Sequence, residues 1–380
     1  MNAALMKPGW AEARRILLVR LDSLGDVLMT TPAMAAVREC LPQARLTLLT
    51  SPAGRALAPH LPWLDQVMSY DAPWVKSGAA AQAAQDLAPG RAELALVRDL
   101  RRRAFDAAIV FSACTQSAWP AALLCRLAGI PLCLAHAREN GYALLSHRLP
   151  ESDHLGPAMR HEVQRQLDLV ASVGLQTADH RLRFSMRPAD ERRIAQLLDG
   201  AGLGSGRPYV LLHPGASAPS RRYPPAGFAA AAAQLCAAAE ACSGSQAANT
   251  PALVACAGPG ESGLLEEFSR AMPRPALLLP GPLSLGELAA LIAGAQVLVA
   301  NNSGPVHLAA ALGTPVVALY ALTNPQHTPW QVPARVLSRE VPCRDCLQST
   351  CPQVHHLCLR GVAPEQVARA ARALMEERLS

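Results

Sequence analysis

Short runs of Val, Ile and Leu recur along the chain, separated by longer stretches whose apolar residues return at helical spacing. The runs predict strands over Ile16–Leu21, Leu46–Thr50, Ala107–Phe111 and Leu132–Ala135, and again over Tyr209–His213, Leu253–Ala257, Ala276–Leu279, Val297–Ala300 and Val316–Tyr320. Helices are predicted between them, over Val27–Cys40, Ala118–Ala128, Ala226–Ala239 and Leu285–Ala293. Strands this apolar are covered on both faces, which implies parallel sheets lying between layers of helices. The alternation restarts at Arg207-Pro208, after a helical stretch near Ala189–Leu198 and a Gly-rich piece. The pattern therefore gives an α/β protein of two doubly wound, Rossmann-like domains, 1–187 and 207–360. A linker at 188–206 joins them, and 361–380 hold a C-terminal helix. Such domains bind ligands at the carboxyl ends of their strands, here expected to face a common cleft.

Composition narrows the class. With 380 residues, 51% of them hydrophobic and 17% charged, the chain has enough apolar surface for two cores and is no disordered polymer. The net charge of +6 is spread out, except at Arg98 and Arg101-Arg102-Arg103. That cluster reads as a solvated helix end or as a contact for anionic lipid or a phosphorylated acceptor. No nucleic-acid partner is expected. No run reaches the roughly 20 apolar residues of a membrane span, and the first residues lack a signal peptide's apolar core, so a cytoplasmic protein is expected. Cys40, Cys114, Cys125, Cys133, Cys236, Cys242 and Cys256 fall singly among apolar residues and fit reduced thiols.

Candidate chemistry gathers where strands end. After Val297–Ala300 come Asn301, Asn302, Ser303, Gly304 and Pro305, then an alanine-rich helix whose first turn carries His307. Unpaired N–H groups and the positive end of the helix dipole make such a junction an anion site. Asp26 follows the first strand through the tight turn Ser23-Leu24-Gly25, with Asp22 just before it; an Asp there serves as a helix cap or as a general base. His213-Pro214-Gly215-Ala216-Ser217 ends another strand and precedes Arg221-Arg222, which read as a phosphate clamp or a surface basic pair. Gly258-Pro259-Gly260-Glu261-Ser262-Gly263 satisfies the weak G-x-G-x-x-G pattern, which leaves ordinary turn chemistry open as well.

Taken in order, these motifs resemble those of the ADP-heptose:lipopolysaccharide heptosyltransferases, glycosyltransferase family 9. The matching segments are Arg20-Leu21-Asp22-Ser23-Leu24-Gly25-Asp26, His213–Ser217 with Arg221, Gly258–Glu261 and Asn302–His307. The resemblance implies the GT-B fold, in which the last helix, here about Pro364–Arg378, often crosses back to the first domain. It also implies an inverting, metal-independent transfer of a sugar from a nucleotide-diphosphate sugar, with ADP-heptose as the leading donor. The acceptor it implies is a lipopolysaccharide core or related cell-surface glycan, met at the inner face of the membrane through peripheral contact. It gives Asp26 the part of general base, with Asp22, Ser23 and Gly25 shaping the acceptor loop. Arg221 stands where the family usually has Lys and would neutralise the leaving diphosphate beside Ser217, with Arg222 able to substitute. Glu261 would contact the nucleoside, Ser303 and Gly304 the diphosphate through their N–H groups, and His307 would point the same way. Asn302 replaces the Asp that touches the donor sugar in most relatives, which leaves the identity of that sugar open.

No D-x-D, H-E-x-x-H or Walker pattern occurs, so no cofactor is expected. Cys343, Cys346, Cys351 and Cys358 form a four-thiol cluster that suits a structural zinc in type but not fully in spacing, leaving free thiols or a transient disulfide as alternatives. Two other readings compete for the whole: an NAD(P)-dependent oxidoreductase, favoured by the glycine pattern, and a non-catalytic sugar-nucleotide-binding protein.

Overall fold

The computed structural model describes residues 6–75, 90–156, 158–204, 206–243, 251–279 and 281–379. They form two compact units that divide between Ser185 and Met186. In the first, β1 (Arg15–Arg20), β2 (Arg45–Thr50), β3 (Gln66–Ser69), β4 (Ala107–Val110), β5 (Leu132–Ala137) and β6 (His147–Pro150) make one parallel sheet in the order β3-β2-β1-β4-β5-β6. Its helices are α1 (Leu24–Cys40), α2 (Arg91–Arg103), α3 (Trp119–Leu127) and α4 (Glu162–Ala171). Chain order reverses between β1 and β4, and the carboxyl ends of those two strands are where this topology opens a crevice.

Helix α1 is apolar nearly all round because it lies between the sheet and α4, and Gly25 and Val27 through Val37 are buried. It contains Pro32, which cannot donate to the carbonyl of Leu28. The Thr31 hydroxyl donates to that carbonyl instead, at 2.6 Å, so the helix continues.

The second unit repeats the topology. Strands β7 (Tyr209–His213), β8 (Ala252–Ala255), β9 (Leu277–Leu278), β10 (Val297–Asn301), β11 (Val316–Leu319) and β12 (Ala334–Leu337) are parallel in the order β12-β11-β10-β7-β8-β9. Its helices are α5 (Pro188–Gly200), α6 (Pro225–Ser243), α7 (Ser262–Ala271), α8 (Leu285–Gly294), α9 (Gly304–Leu312), α10 (Leu357–Arg360) and α11 (Pro364–Leu379). Strand β10 is buried throughout, and Val297, Leu298 and Val299 each contribute about 1.5–3 kcal/mol by leaving water. Residues 188–206, read from the sequence as a linker, carry α5, which buries Ile194 and packs on α8. The C-terminal helix α11 lies against α6 and adds Val367, Ala371 and Leu374 to the core of this second unit. Among the described residues no helix is long and apolar enough to cross a membrane.

Candidate active site

In the first unit the site grows from the end of β1. Its last residue, Arg20, is fully buried, and three carboxylates surround the guanidinium: Asp22 at 2.9 Å, Glu162 at 2.8 Å and Asp26 at 3.4 Å. Burial opposes the charge on Arg20, yet these partners outweigh it and hold its pKa above the ordinary value. Asp26 sits in the first turn of α1, where its Oδ2 accepts the backbone N–H of Ser23 at 3.1 Å and the Ser23 hydroxyl at 2.6 Å. One oxygen is thus oriented by the turn, the other faces Arg20, and the side chain keeps 15% of its exposure.

Asp22 differs. Burial, aided by the charge of Asp26, pushes its pKa up to about 6 against the opposing pull of Arg20 and Gln116. Gln116 Nε2 donates to its Oδ1 at 2.5 Å, and the Ser51 hydroxyl donates to its backbone carbonyl at 2.6 Å. A cavity of 240 Å³ opens beside it, walled by Trp74, Phe111, Ser112 and Gln116. Asp22, Ser23, Gly25 and Asp26, all read from the sequence, therefore share one turn. Arg20, Glu162 and Gln116 complete it and were not anticipated as site residues, since Glu162 and Gln116 lie far along the chain and only the tertiary fold brings them in.

In the second unit three loops converge at the carboxyl ends of β7, β8 and β10. Asn301, wholly buried, ties two of them together: its Oδ1 accepts the N–H of Tyr223 at 2.9 Å and its Nδ2 donates to the carbonyl of Pro214 at 2.7 Å. Ser303 is the N-cap residue of α9, with extended backbone, and its hydroxyl donates to the carbonyl of Asn301 at 3.1 Å. Gly304 and Pro305 open the helix, His307 is buried one turn in with its ring edge toward His327, and Gly313 ends the helix with φ +75°. Asn302 is buried, and its side chain bonds the Tyr320 hydroxyl.

The two arginines have different surroundings. Arg222 donates from Nε to the carbonyl of Ala216 at 2.7 Å and pairs with Glu261 at 3.6 Å. Arg221, in the short helical turn Pro219–Arg221, makes no side-chain hydrogen bond or ion pair among the described residues, and Ser217 beside it is exposed. Glu261 is expected from the sequence to reach a nucleoside. In the structure its carboxylate accepts the Gly258 N–H at 3.0 Å and lies so close to Gly215 that a Cβ there would stand 1.9 Å from Oε2. The glycine pattern Gly258–Gly263 follows β8, not the β7 and β10 pair where chain order reverses, and its acidic residue is engaged within the loop. A dinucleotide fingerprint belongs at the first strand of such a sheet, so the oxidoreductase reading has no structural support.

Cys343, Cys346, Cys351 and Cys358 are free thiols that line one small cavity of 20 Å³ with His355 and His356. Among the described residues no group of three or more His, Cys, Asp or Glu is arranged to hold a metal ion. The same segment supports the loop after β7, because Ser220 donates its N–H to the carbonyl of Ser349 at 3.0 Å and its hydroxyl to that of Gln348 at 2.6 Å. Arg221 is thereby set on a turn that the cysteine loop braces.

Fold and site together define a protein of two doubly wound α/β units with polar and charged residues gathered at the strand ends. Residues 93–356 match the model of glycosyltransferase family 9, the heptosyltransferases. The chain belongs to that family and is a glycosyltransferase. It is 36% identical over 87 residues to lipooligosaccharide heptosyltransferase 2 of Campylobacter jejuni, an alignment spanning 22% of this chain and only 27% of that protein. Against lipopolysaccharide heptosyltransferase 2 of Escherichia coli K12 the identity is 25% over 373 residues, covering 95% and 98% of the two chains. The crystal structure of a family 9 glycosyl transferase from Veillonella parvula superposes with a TM-score of 0.75 at 20% identity, over 96% of this chain and 98% of that one. The two doubly wound sheets are those of the GT-B class.

Proposed function

We propose that this enzyme transfers heptose from ADP-heptose, with inversion and without a metal, to a lipopolysaccharide core or related glycan. The observation that carries the reading is Asp26, a carboxylate oriented by Ser23 and Arg20 at the carboxyl end of β1, beside the reversal point of the sheet. In the proposed reaction Asp26 takes the proton of an acceptor hydroxyl as its oxygen bonds to the anomeric carbon. The bond from that carbon to the diphosphate breaks, and the electron pair leaves on the diphosphate. Arg221 and the N-terminal end of α9 are assigned to that developing charge, with Ser217, Ser303, Gly304 and His307 lining the donor. Asn302 and Glu261 act through Tyr320 and the Gly215 loop. The names of the relatives support the donor and acceptor classes. Peripheral contact with the cytoplasmic face of the inner membrane is assigned to the arginine-rich end of α2, where Arg101 and Arg102 are exposed.

The test is a thermal-shift comparison of ADP, UDP, GDP and NADH, followed by turnover of ADP-heptose in Asp26→Asn. ADP alone should raise the melting temperature. Asp26→Asn should cut turnover about 10²- to 10⁴-fold and leave ADP affinity unchanged. Stabilisation by NADH, or full turnover in the variant, would sink the reading.

A further inference from the structure

In the first unit a second cavity, of 420 Å³, opens at the carboxyl ends of β4 and β5 and shares only Thr115, Gln116 and Ser117 with the one beside Asp22. His136 lines it and is 3% exposed. Its Nε2 lies 2.9 Å from the carbonyl oxygen of Arg165. A carbonyl only accepts, so the ring hydrogen is on Nε2. Burial and the Arg165 guanidinium, with Arg160 adding to them and Glu151 opposing, push the pKa of the imidazole down to about 4. The ring is therefore neutral, and Nδ1 is a bare lone pair. It is shielded from solvent and has no hydrogen-bond partner among the described residues. A shielded acceptor without a donor costs free energy until something supplies one.

The rest of the lining says what that something is. Arg165 is committed to Glu151, at 2.6 Å from Nε, and to the carbonyl of Ser112. Arg138 donates to the carbonyls of Cys114 and Asp153, at 3.2 and 2.6 Å. With Glu139 and Glu151 set against these two cations, the cavity is balanced in charge and poorly suited to an anion. Trp119 provides an aromatic wall, held by Gly141, where an added Cβ would meet the ring at 2.2 Å. Hydroxyl donors combined with an apolar C–H face are what an uncharged sugar ring presents to such a surface.

We propose that this cavity is a subsite for an uncharged sugar of the acceptor glycan, next along from the position beside Asp22, with a sugar hydroxyl donating to Nδ1 of His136. The assignment rests on the transferase reading, and its test separates the two. Methyl α-mannoside, glucuronate and inorganic phosphate are titrated against the full-length protein, with saturation-transfer NMR on the sugars and phosphate as competitor. The mannoside should bind, glucuronate should bind more weakly, and phosphate should not displace the mannoside. His136→Gln keeps a donor for the Arg165 carbonyl but offers no acceptor at the Nδ1 position, and should weaken the mannoside about three- to tenfold. Trp119→Leu should weaken it too, and that variant decides the matter if His136→Gln has lost its melting transition. Because the ring stays neutral, mannoside affinity should be flat from pH 5.5 to 8. Unchanged binding in a folded His136→Gln, displacement by phosphate, or affinity that rises as pH falls through 6 would each overturn the subsite. ADP affinity should be the same in wild type and both variants; a wild type that ignores ADP would defeat the transferase reading instead.

Discussion

Asn301 accepts the backbone N–H of Tyr223 at 2.9 Å with a side chain that has no solvent exposure, while its amide donates to the carbonyl of Pro214 at 2.7 Å. One side chain at the end of β10 thus sets both ends of the loop that carries Ser217 and Arg221. Asn301→Ala leaves a buried N–H and a buried carbonyl unpaired, each costing about 1–3 kcal/mol. The variant should melt several degrees lower and bind ADP more weakly by calorimetry, because its loop is no longer fixed. Asn301→Asp keeps the acceptor for Tyr223 but sets an oxygen against the Pro214 carbonyl, and should be destabilised too. A variant with wild-type melting and wild-type ADP affinity would show that the loop is held by other contacts.

Asn301 also marks the limit of what the sequence discloses. The central strands were legible because they are buried on both faces: the prediction Tyr209–His213 coincides with β7, and Ile16–Leu21 is displaced from β1 by a single residue. Strands β3, β6 and β12 went unpredicted, and each lies at a sheet edge. Their sequences, Gln66–Ser69, His147–Pro150 and Ala334–Leu337, mix polar and apolar residues because only part of an edge strand needs cover. Asp26, Arg221 and Ser303 were legible as motif members beside strand ends. Asn301 stands within the same motif, but nothing in its spacing says that its side chain turns inward. Glu162 is more distant still, since a carboxylate placed 142 residues from Arg20 becomes its partner only once α4 has docked on α1.

The contrast between Arg221 and Arg222 makes a separable pair of expectations. Arg222 is occupied by the Ala216 carbonyl and by Glu261, so Arg222→Ala should lower the melting temperature by releasing the Gly258–Glu261 turn. Arg221 has no such structural engagement, and Arg221→Ala should leave melting near wild type. Its cost should fall on ADP affinity, by about 1.5–3 kcal/mol for a charged hydrogen bond. Arg221→Lys should recover part of that loss, since an ammonium keeps the charge without the paired donors. Calorimetric titration with ADP, read beside thermal melts, checks both, and the reverse assignment of effects would exchange the roles of the two residues.

Asp22 and His136 give the first unit a pH signature whose parts oppose each other. With a pKa of about 6 in place of 3.8, Asp22 holds a proton between pH 4 and 6 that the unfolded chain has lost. Its contribution to stability is therefore complete below pH 4 and is lost as pH rises through 6. His136 has a folded pKa of about 4 against an ordinary 6.5, so over nearly the same range the unfolded chain carries a proton that the folded one lacks. That term makes stability rise with pH. In wild type the two slopes offset one another. Asp22→Asn keeps an acceptor for Gln116 and removes only the first, so melting temperature should climb more steeply from pH 4 to 6 than in wild type. His136→Gln removes only the second and should turn the same profile downward. Parallel profiles in all three proteins would mean that neither group titrates away from its ordinary range, and that Arg20 alone sets the electrostatics at the end of β1.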